Sequence, residues 1–385
     1  MKYRNVETLL VHAGAAAGQA RGAVGTPIFQ TTTFGEADRE AGVRYTRLGN
    51  GPNQVVLEAR LAALAGADDA LVTASGMAAI ATTLLTLLGP GQRVLVQRGV
   101  YGGTSMLLQQ DLERLGIACD IAPNDDPHTW DAAIQPETRA IFVEAITNPL
   151  LRIIDHTAVV ALARRHELVA VIDATFASPM NFQPLALGFD LEIHSMSKYL
   201  NGHTDVIAGV VMGRQDLVSR VRATFRNFGP ALDPHAAFLV ERGLKTLALR
   251  VRHQNASATG LARFLATQPA VAAVHYPTLE DAAPPPHITA HFKGFGGVLA
   301  FAPKGGGSAA EAVLRALRIA TWAPSLGGSE TLVTRPAGTS HAGLSPEARA
   351  ALGIHDGLIR VACGLEGLDD LIADFDDALR TVQAS

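Results

Sequence analysis

Ile193-His194-Ser195-Met196-Ser197-Lys198-Tyr199-Leu200-Asn201-Gly202-His203-Thr204-Asp205 is the stretch that decides how this chain is read. It sets one lysine among small hydroxyl residues, between two runs, 191–194 and 206–212, that have the composition of buried strands. A lysine amine that has lost its proton is a strong nucleophile towards carbonyl carbon and can hold an aldehyde as a Schiff base. Lys198 is the candidate for that role.

Outward from this stretch, short apolar runs at 70–73, 93–96, 117–121, 140–144 and 168–173 alternate with helical ones. Ala74-Ser75-Gly76 leads from the first run into a helix, and Tyr101-Gly102-Gly103 opens another. Such alternation predicts an α/β fold, a mostly parallel sheet with helices on both faces. Ligands of open sheets of this kind gather at the carboxyl ends of the strands. Residues 1–44, rich in Gly, Thr and Pro, read as an extended arm that lies across this subunit or another. Beyond residue 235 one long helical run is expected from Pro234 to about Leu265. A smaller α+β portion follows, with strands at 296–301 and 358–361, a helix at 308–317 and a closing helix from Leu368. Gly305-Gly306-Gly307 reads as a turn or short linker. The expected division is an arm at 1–44, a cofactor-binding α/β domain at 45–235 and a C-terminal α+β domain at 236–385.

Composition narrows the function classes. At 385 residues and 48% hydrophobic, the chain is long enough for a large core and about two to three domains. A formal charge of -4, with no Lys/Arg block, argues against a nucleic-acid partner. Two cysteines, Cys119 and Cys363, both in apolar runs, suggest neither a disulfide framework nor a zinc cluster. The first residues lack a signal-peptide pattern, and no apolar run reaches the ~18 residues of a membrane helix, so no membrane partner is expected. The run 78–88 carries three threonines and reads as a buried helix. A cytoplasmic protein is the expectation.

The strand ends carry the chemistry. Ser75-Gly76-Met77 ends a strand and opens a helix, which suits a phosphate beside the helix N-terminus and equally an ordinary N-cap. Asp173 closes the 168–173 run, where a carboxylate serves as a helix cap, a metal ligand or the partner of a protonated ring nitrogen. An acid and a lysine on neighbouring strand ends, a phosphate cradle and a tyrosine at Tyr101 match the needs of pyridoxal 5'-phosphate: an anchor for the aldehyde, a partner for the ring nitrogen, a phosphate site and a stacking ring.

Residues 195–209 resemble the cofactor-attachment signature of the pyridoxal-phosphate enzymes of Cys/Met metabolism, which include cystathionine γ-synthase, cystathionine γ- and β-lyases, methionine γ-lyase and the homoserine sulfhydrylases. The resemblance runs nearly end to end, through Tyr45-Thr46-Arg47, Ser75-Gly76-Met77, Tyr101-Gly102-Gly103-Thr104, Asn148-Pro149-Leu150, Asp173, Ser325-Leu326-Gly327-Gly328, Ser340-His341-Ala342-Gly343 and Leu358-Ile359-Arg360. It implies fold-type I architecture. It also implies that Lys198 anchors the cofactor and then shuttles protons, that Asp173 keeps the ring nitrogen protonated, and that Tyr101 stacks on the ring. Gly76, Met77, Ser195 and Ser197 would bind the phosphate, joined by Tyr45 and Arg47 of a neighbouring subunit. The last point implies a homo-oligomer, a tetramer of two dimers that share active sites. Arg360, Ser325 and Asn148 would position the α-carboxylate of a small amino-acid substrate, Arg360 by a bidentate contact.

Departures from the family pattern bear on the substrate. Where several γ-synthases and γ-lyases carry an arginine after Tyr-Gly-Gly, this chain has Ser105-Met106, and their glutamate before Ser-Leu-Gly-Gly is replaced by Pro324. The loss of both charges points to a less charged distal group. Ala174 stands where asparagine is common, and the turn from Tyr45 to Pro52 is one residue longer than usual. Chemistry at the γ carbon, elimination or replacement in methionine and cysteine metabolism including transsulfuration, is the expected activity. A β-eliminating C–S lyase is the alternative, and an aminotransferase or a non-catalytic relative the remoter ones. His287 and His291 have the i, i+4 spacing of a metal pair, but no third ligand is near and they read as solvated. His194 and His203 flank the lysine stretch, as support for the site or as structure. Cys119 and Cys363 read as core residues.

Overall fold

The computed structural model describes residues 3–14, 23–35, 44–279, 284–339, 342–343 and 345–383. Ser340 and His341 of the Ser-His-Ala-Gly motif, and residues 1–2, 15–22 and 36–43 of the arm, lie outside these. Within the arm, Val6–His12 forms a short helix (α1), where an extended segment was expected. Leu10 is its one buried residue, and the Leu10 carbonyl accepts from buried Arg60 at 2.6 Å.

Seven strands build the first sheet: β1 (Asp69–Thr73), β2 (Arg93–Val96), β3 (Ala118–Ile121), β4 (Thr138–Glu144), β5 (Val169–Asp173), β6 (Leu191–Ser195) and β7 (Gly209–Gly213). Their order is β1-β7-β6-β5-β4-β2-β3. β3, β2, β4, β5 and β6 are mutually parallel, while β7 returns antiparallel between β6 and β1. The strands are apolar on both faces because both are covered. Val72, Leu95, Ile141, Val143 and Ile172 belong to one buried cluster, and their neighbours Leu71, Val94, Phe142 and Val171 to the other.

Local sequence accounts for the helix ends. α2 (Pro52–Ala65) begins with proline at its first position, and the Gly51 N–H donates to Gln54 Oε1 at 2.9 Å. In α3 (Gly76–Leu87), Ser75 Oγ caps the first turn by accepting from the Ala78 N–H at 3.0 Å. Asp155 caps α4 (His156–Arg165), and α5 (Gln215–Phe228) ends on left-handed Gly229. The helical run expected from Pro234 to Leu265 is two helices, α6 (Pro234–Leu244) and α7 (Leu247–Ala266). The break follows from a tertiary contact. Arg250, itself buried, donates to the carbonyls of Gly243 at 2.8 Å and Tyr199 at 2.8 Å, and so draws the end of α6 onto the lysine stretch.

The second sheet has the order β10-β11-β12-β9-β8. Its strands are β8 (Val271–His275), β9 (Val298–Pro303), β10 (Thr321–Trp322), β11 (Leu332–Thr334) and β12 (Ile359–Ala362), packed with α8 (Gly306–Ala316) and α9 (Leu368–Gln383). Gly305 is the left-handed residue before α8, and the other two glycines of the triplet belong to that helix. The core cluster that covers one face of the first sheet continues through α7 into β9 and β12. No helix among the described residues is long and apolar enough to cross a membrane.

Candidate active site

Glu144, Asp173 and Ser195 are the last residues of three adjacent parallel strands, β4, β5 and β6. The register pairs Glu144 with Asp173, and Asp173 with Ile193. The chain then knots these ends together. The Thr175 N–H donates to Asp173 Oδ1 at 2.9 Å, and the Ser195 N–H donates to Thr175 Oγ1 at 2.9 Å. Three residues past β6, Lys198 turns its amine towards the second sheet and donates to Ser325 Oγ at 2.9 Å.

The N-terminus of α3 closes in from the side. A Cβ on Gly76 would lie 2.8 Å from Ser195 Cβ, and one on Gly209 would lie 2.1 Å from the Ser75 carbonyl oxygen. Only glycine at both positions lets the helix start, the β6 end and the β7 start approach this closely. The first amides of a helix have no acceptor within it, so this cradle presents N–H donors to an anion. Ser197 also lines the cavity, and its Oγ accepts from the Ala208 N–H at 3.0 Å.

A cavity of 430 Å³ opens above these strand ends. Lys198, Asp173, Tyr101, Gly76, Met77, Ser195, Ser197, Asn148, Ser325, Pro324 and Arg360 all line it. Its remaining walls are largely apolar, including Ile80, Ile146, Phe176, Ile207 and Leu326. Arg360 reaches it from the middle of β12. Its Nη1 donates to Asn148 Oδ1 at 3.2 Å and its Nη2 to the Ser325 carbonyl at 2.8 Å, while its buried Nε has no partner among the described residues. Ser325 holds its place with φ at 107°, a conformation costly for any residue but glycine.

Three residues named from the sequence are not brought to this cavity. Tyr45 and Arg47 line a separate one with Gln30, Thr32 and Asp233, where the Arg47 guanidinium lies 5.4 Å from the Tyr45 ring centre and donates to the Arg226 carbonyl at 2.7 Å. Met106 ends the short helix Gly102–Met106 and is 55% exposed, outside the cavity lining. Pro324 lines the cavity and Met106 does not. Ala174 is fully buried behind the site.

Glu144, Thr175, Ile207 and Thr339 also line the cavity and were not singled out from the sequence. For Glu144 and Thr175 a signal existed, because both stand at or just past a strand end, as Asp173 does. Nothing in the pattern marks Ile207 or Thr339. His194 is buried and pairs with Glu192 Oε1 at 2.6 Å, and His203 Nδ1 lies 2.7 Å from the Asn201 carbonyl, so both histidines support the stretch from within. Cys363 is buried and its thiol is pushed up to about 12 by burial, while Cys119, partly buried in β3, is pushed up to about 11. His291 falls beyond the end of the short helix Pro286–Thr289 that holds His287. Among the described residues no three His, Cys, Asp or Glu side chains are grouped to hold a metal ion.

Burial sets the electrostatics. It brings the Lys198 amine down to about 8, helped by the nearby charge of Arg360. Burial raises Asp173 above the usual carboxylate range, and among the described residues no cationic side chain forms a salt bridge with it. Burial, with the charge of Asp173 second, pushes Glu144 up to about 8. Arg360 is brought down to about 10 by burial and stays charged at neutral pH. A buried carboxyl group lacking a cation, a lysine with an accessible free amine, a glycine-lined cradle of helix amides and a tyrosine at the rim fit pyridoxal phosphate.

The family model described as Cys/Met metabolism PLP-dependent enzyme matches residues 7–380. The chain is 40% identical over 385 residues to an L-methionine gamma-lyase of Pseudomonas putida, a match covering 97% of this chain and 96% of the relative. It is also 40% identical, over 383 residues, to an O-succinylhomoserine sulfhydrylase of Pseudomonas aeruginosa, covering 96% and 93%. Among solved structures, cystathionine gamma-lyase from Lactobacillus plantarum complexed with L-serine matches with a TM-score of 0.94 at 35% identity, covering 98% of this chain and 99% of that one. Two relatives of equal identity are named for different reactions, so the choice between them falls to the cavity.

Proposed function

Since the chain belongs to the Cys/Met metabolism family of pyridoxal-phosphate-dependent enzymes, we propose that it catalyses elimination or replacement at the γ carbon of an amino acid whose distal end is uncharged. One observation carries this reading. Among the described residues lining the cavity, Lys198 and Arg360 are the only lysine and arginine. Once Arg360 takes the α-carboxylate, no fixed cation of this chain remains among the described lining residues for a distal carboxylate, and Pro324 with its apolar neighbours suits a thioether or an acetyl ester.

Pyridoxal phosphate, when bound, supplies an aldehyde for attachment and a ring that stabilises negative charge developed on the substrate. Lys198 Nζ, with its amine lowered by burial, is the nucleophile for attachment and the base placed for the substrate's Cα proton; chemistry at Cγ needs a second proton taken from Cβ. Ser325 Oγ holds that amine at 2.9 Å. Asp173 would face the ring nitrogen and keep it protonated. Tyr101 would stack on the ring, and the amides of Gly76 and Met77 with the hydroxyls of Ser195 and Ser197 would hold the phosphate. Arg360, oriented by Asn148 and the Ser325 carbonyl, would grip the α-carboxylate and so aim Cα at Lys198. The distance of Tyr45 and Arg47 from this cavity supports their acting on a neighbour's phosphate, in a homo-oligomer built from site-sharing dimers.

Methionine, homocysteine, cystathionine, O-acetyl-homoserine and O-succinyl-homoserine, each scored for keto acid with and without a thiol, test the reading. The expected result is 2-oxobutanoate or a γ-replacement product, with methionine or O-acetyl-homoserine preferred over the charged substrates. Pyruvate from cystathionine as the main product would overturn it in favour of β-elimination.

A further inference from the structure

Glu144 is the one carboxyl group lining the cavity, among the described residues, to which the reading above gives no task. It closes β4, is buried, and is fixed from several sides. Its backbone N–H donates to the Oε1 of buried Gln97 at 2.9 Å, and buried His156 Nε2 lies 3.3 Å from its carbonyl. From this anchored place its side chain reaches out of the sheet. The Tyr101 N–H donates to Glu144 Oε1 at 2.6 Å, a short bond.

That bond matters because of what Tyr101 otherwise holds. The Tyr101 carbonyl accepts from the Ser105 N–H within its own short helix, a local contact. Its ring is 42% exposed and leans on Gly103, where a Cβ would lie 2.6 Å from ring carbon Cε1. The bond to Glu144 thus links the backbone of this turn to the sheet. The ring that this turn carries lines the cavity beside Lys198 and Asp173.

We propose that Glu144 is a positioning residue that ties the Tyr101 turn to the end of β4, so that the ring facing the cofactor is held by the same sheet that carries Asp173. The proposal rests on the role given above to Tyr101, and it holds whichever carbon of the substrate reacts.

A double-mutant cycle on the holoenzyme tests it, with equilibrium affinity for pyridoxal phosphate and substrate KM as separate readouts. Glu144→Ala is expected to weaken pyridoxal phosphate binding by about 10- to 100-fold, the scale of leaving a buried backbone donor without its acceptor, and to change substrate KM less. In a Tyr101→Ala background the same change should cost the cofactor little more, because the ring it positions is gone. Fully additive losses overturn the proposal. Glu144→Gln, which keeps an oxygen for the Tyr101 N–H, should recover most of the cofactor affinity, whereas Glu144→Asp, one methylene too short, should not. If Glu144→Ala fails to fold, the Gln and Asp variants decide alone, and equal affinities for the two overturn the proposal. A wild-type chain that takes up no pyridoxal phosphate would instead refute the reading of the whole site.

Discussion

The two sides of the cavity are built differently. On the side of the seven-stranded sheet, Glu144, Asp173 and Ser195 end parallel strands, and the contacts that fix them run through backbone amides and Thr175. On the side of the five-stranded sheet, Arg360 projects from mid-strand, and Ser325 sits in a loop at φ 107°. The first side is a frame set by topology, and any chain with this strand order presents its strand ends there. The second is assembled from single side chains, and there Pro324 replaces a charge. On the proposed reading, the difference means that the frame holds the cofactor while the opposite wall selects the amino acid.

The largest effect should come from the frame. Lys198→Ala should cut turnover by roughly 10³–10⁴-fold and abolish the absorbance band near the visible edge; retention of that band would break the comparison at its centre. Arg360→Ala should leave the band intact while kcat/KM falls by roughly 100-fold, the scale of about 3 kcal/mol for truncating a buried charge pair. Loss of the band in that variant would show that the two walls are not separable.

A pH measurement sharpens the frame further. Burial disfavours the charged amine, so the free-amine fraction of Lys198 in cofactor-free protein should grow about tenfold between pH 7 and pH 9 and then level, as a group near 8 does. The rate of pyridoxal phosphate capture, followed by absorbance, should track it; a rate still climbing steeply above pH 9 would contradict the burial. The linkage has a definite sign. Between about pH 8 and the unfolded lysine's 10.5 the unfolded chain binds more protons at this site, so the destabilisation caused by burying Lys198 is relieved, and the fold gains stability, as pH rises through that window. The smallest effect belongs to the opposite wall. Ser325→Ala should lower kcat less than about tenfold, as for a neutral hydrogen bond of about 1 kcal/mol. Ser325→Gly, free of the strain at φ 107°, should be more thermostable than Ser325→Ala by about 1 kcal/mol.

The frame was also the more legible side. Apolar runs alternating with helical ones announce a parallel sheet, and Asp173 and Lys198 stand out because a polar group closing an apolar strand needs a reason. The antiparallel return of β7 was not legible, since strand direction leaves no mark on a buried run such as 209–213. The break between α6 and α7 was hidden too, because Lys245 and Thr246 are compatible with a helix and the cause lies in Arg250 reaching Tyr199 and Gly243. Met106 was named from motif position alone, which fixes distance along the chain but not the side of the short helix that a residue occupies. Glu144 was passed over as the end of a strand, although its place beside Asp173 is the same strand-end signal one strand away.

Gly209 carries a consequence for recombination between relatives. A methyl group there would sit 2.1 Å from the Ser75 carbonyl oxygen, so the turn before α3 and the start of β7 are fitted to each other through a single missing atom. Chimeras that exchange segments with a breakpoint between positions 76 and 209 must therefore bring together two turns of matching shape. Those that take both turns from one parent avoid the problem altogether. Far apart in sequence, the two turns are inherited most safely as one piece.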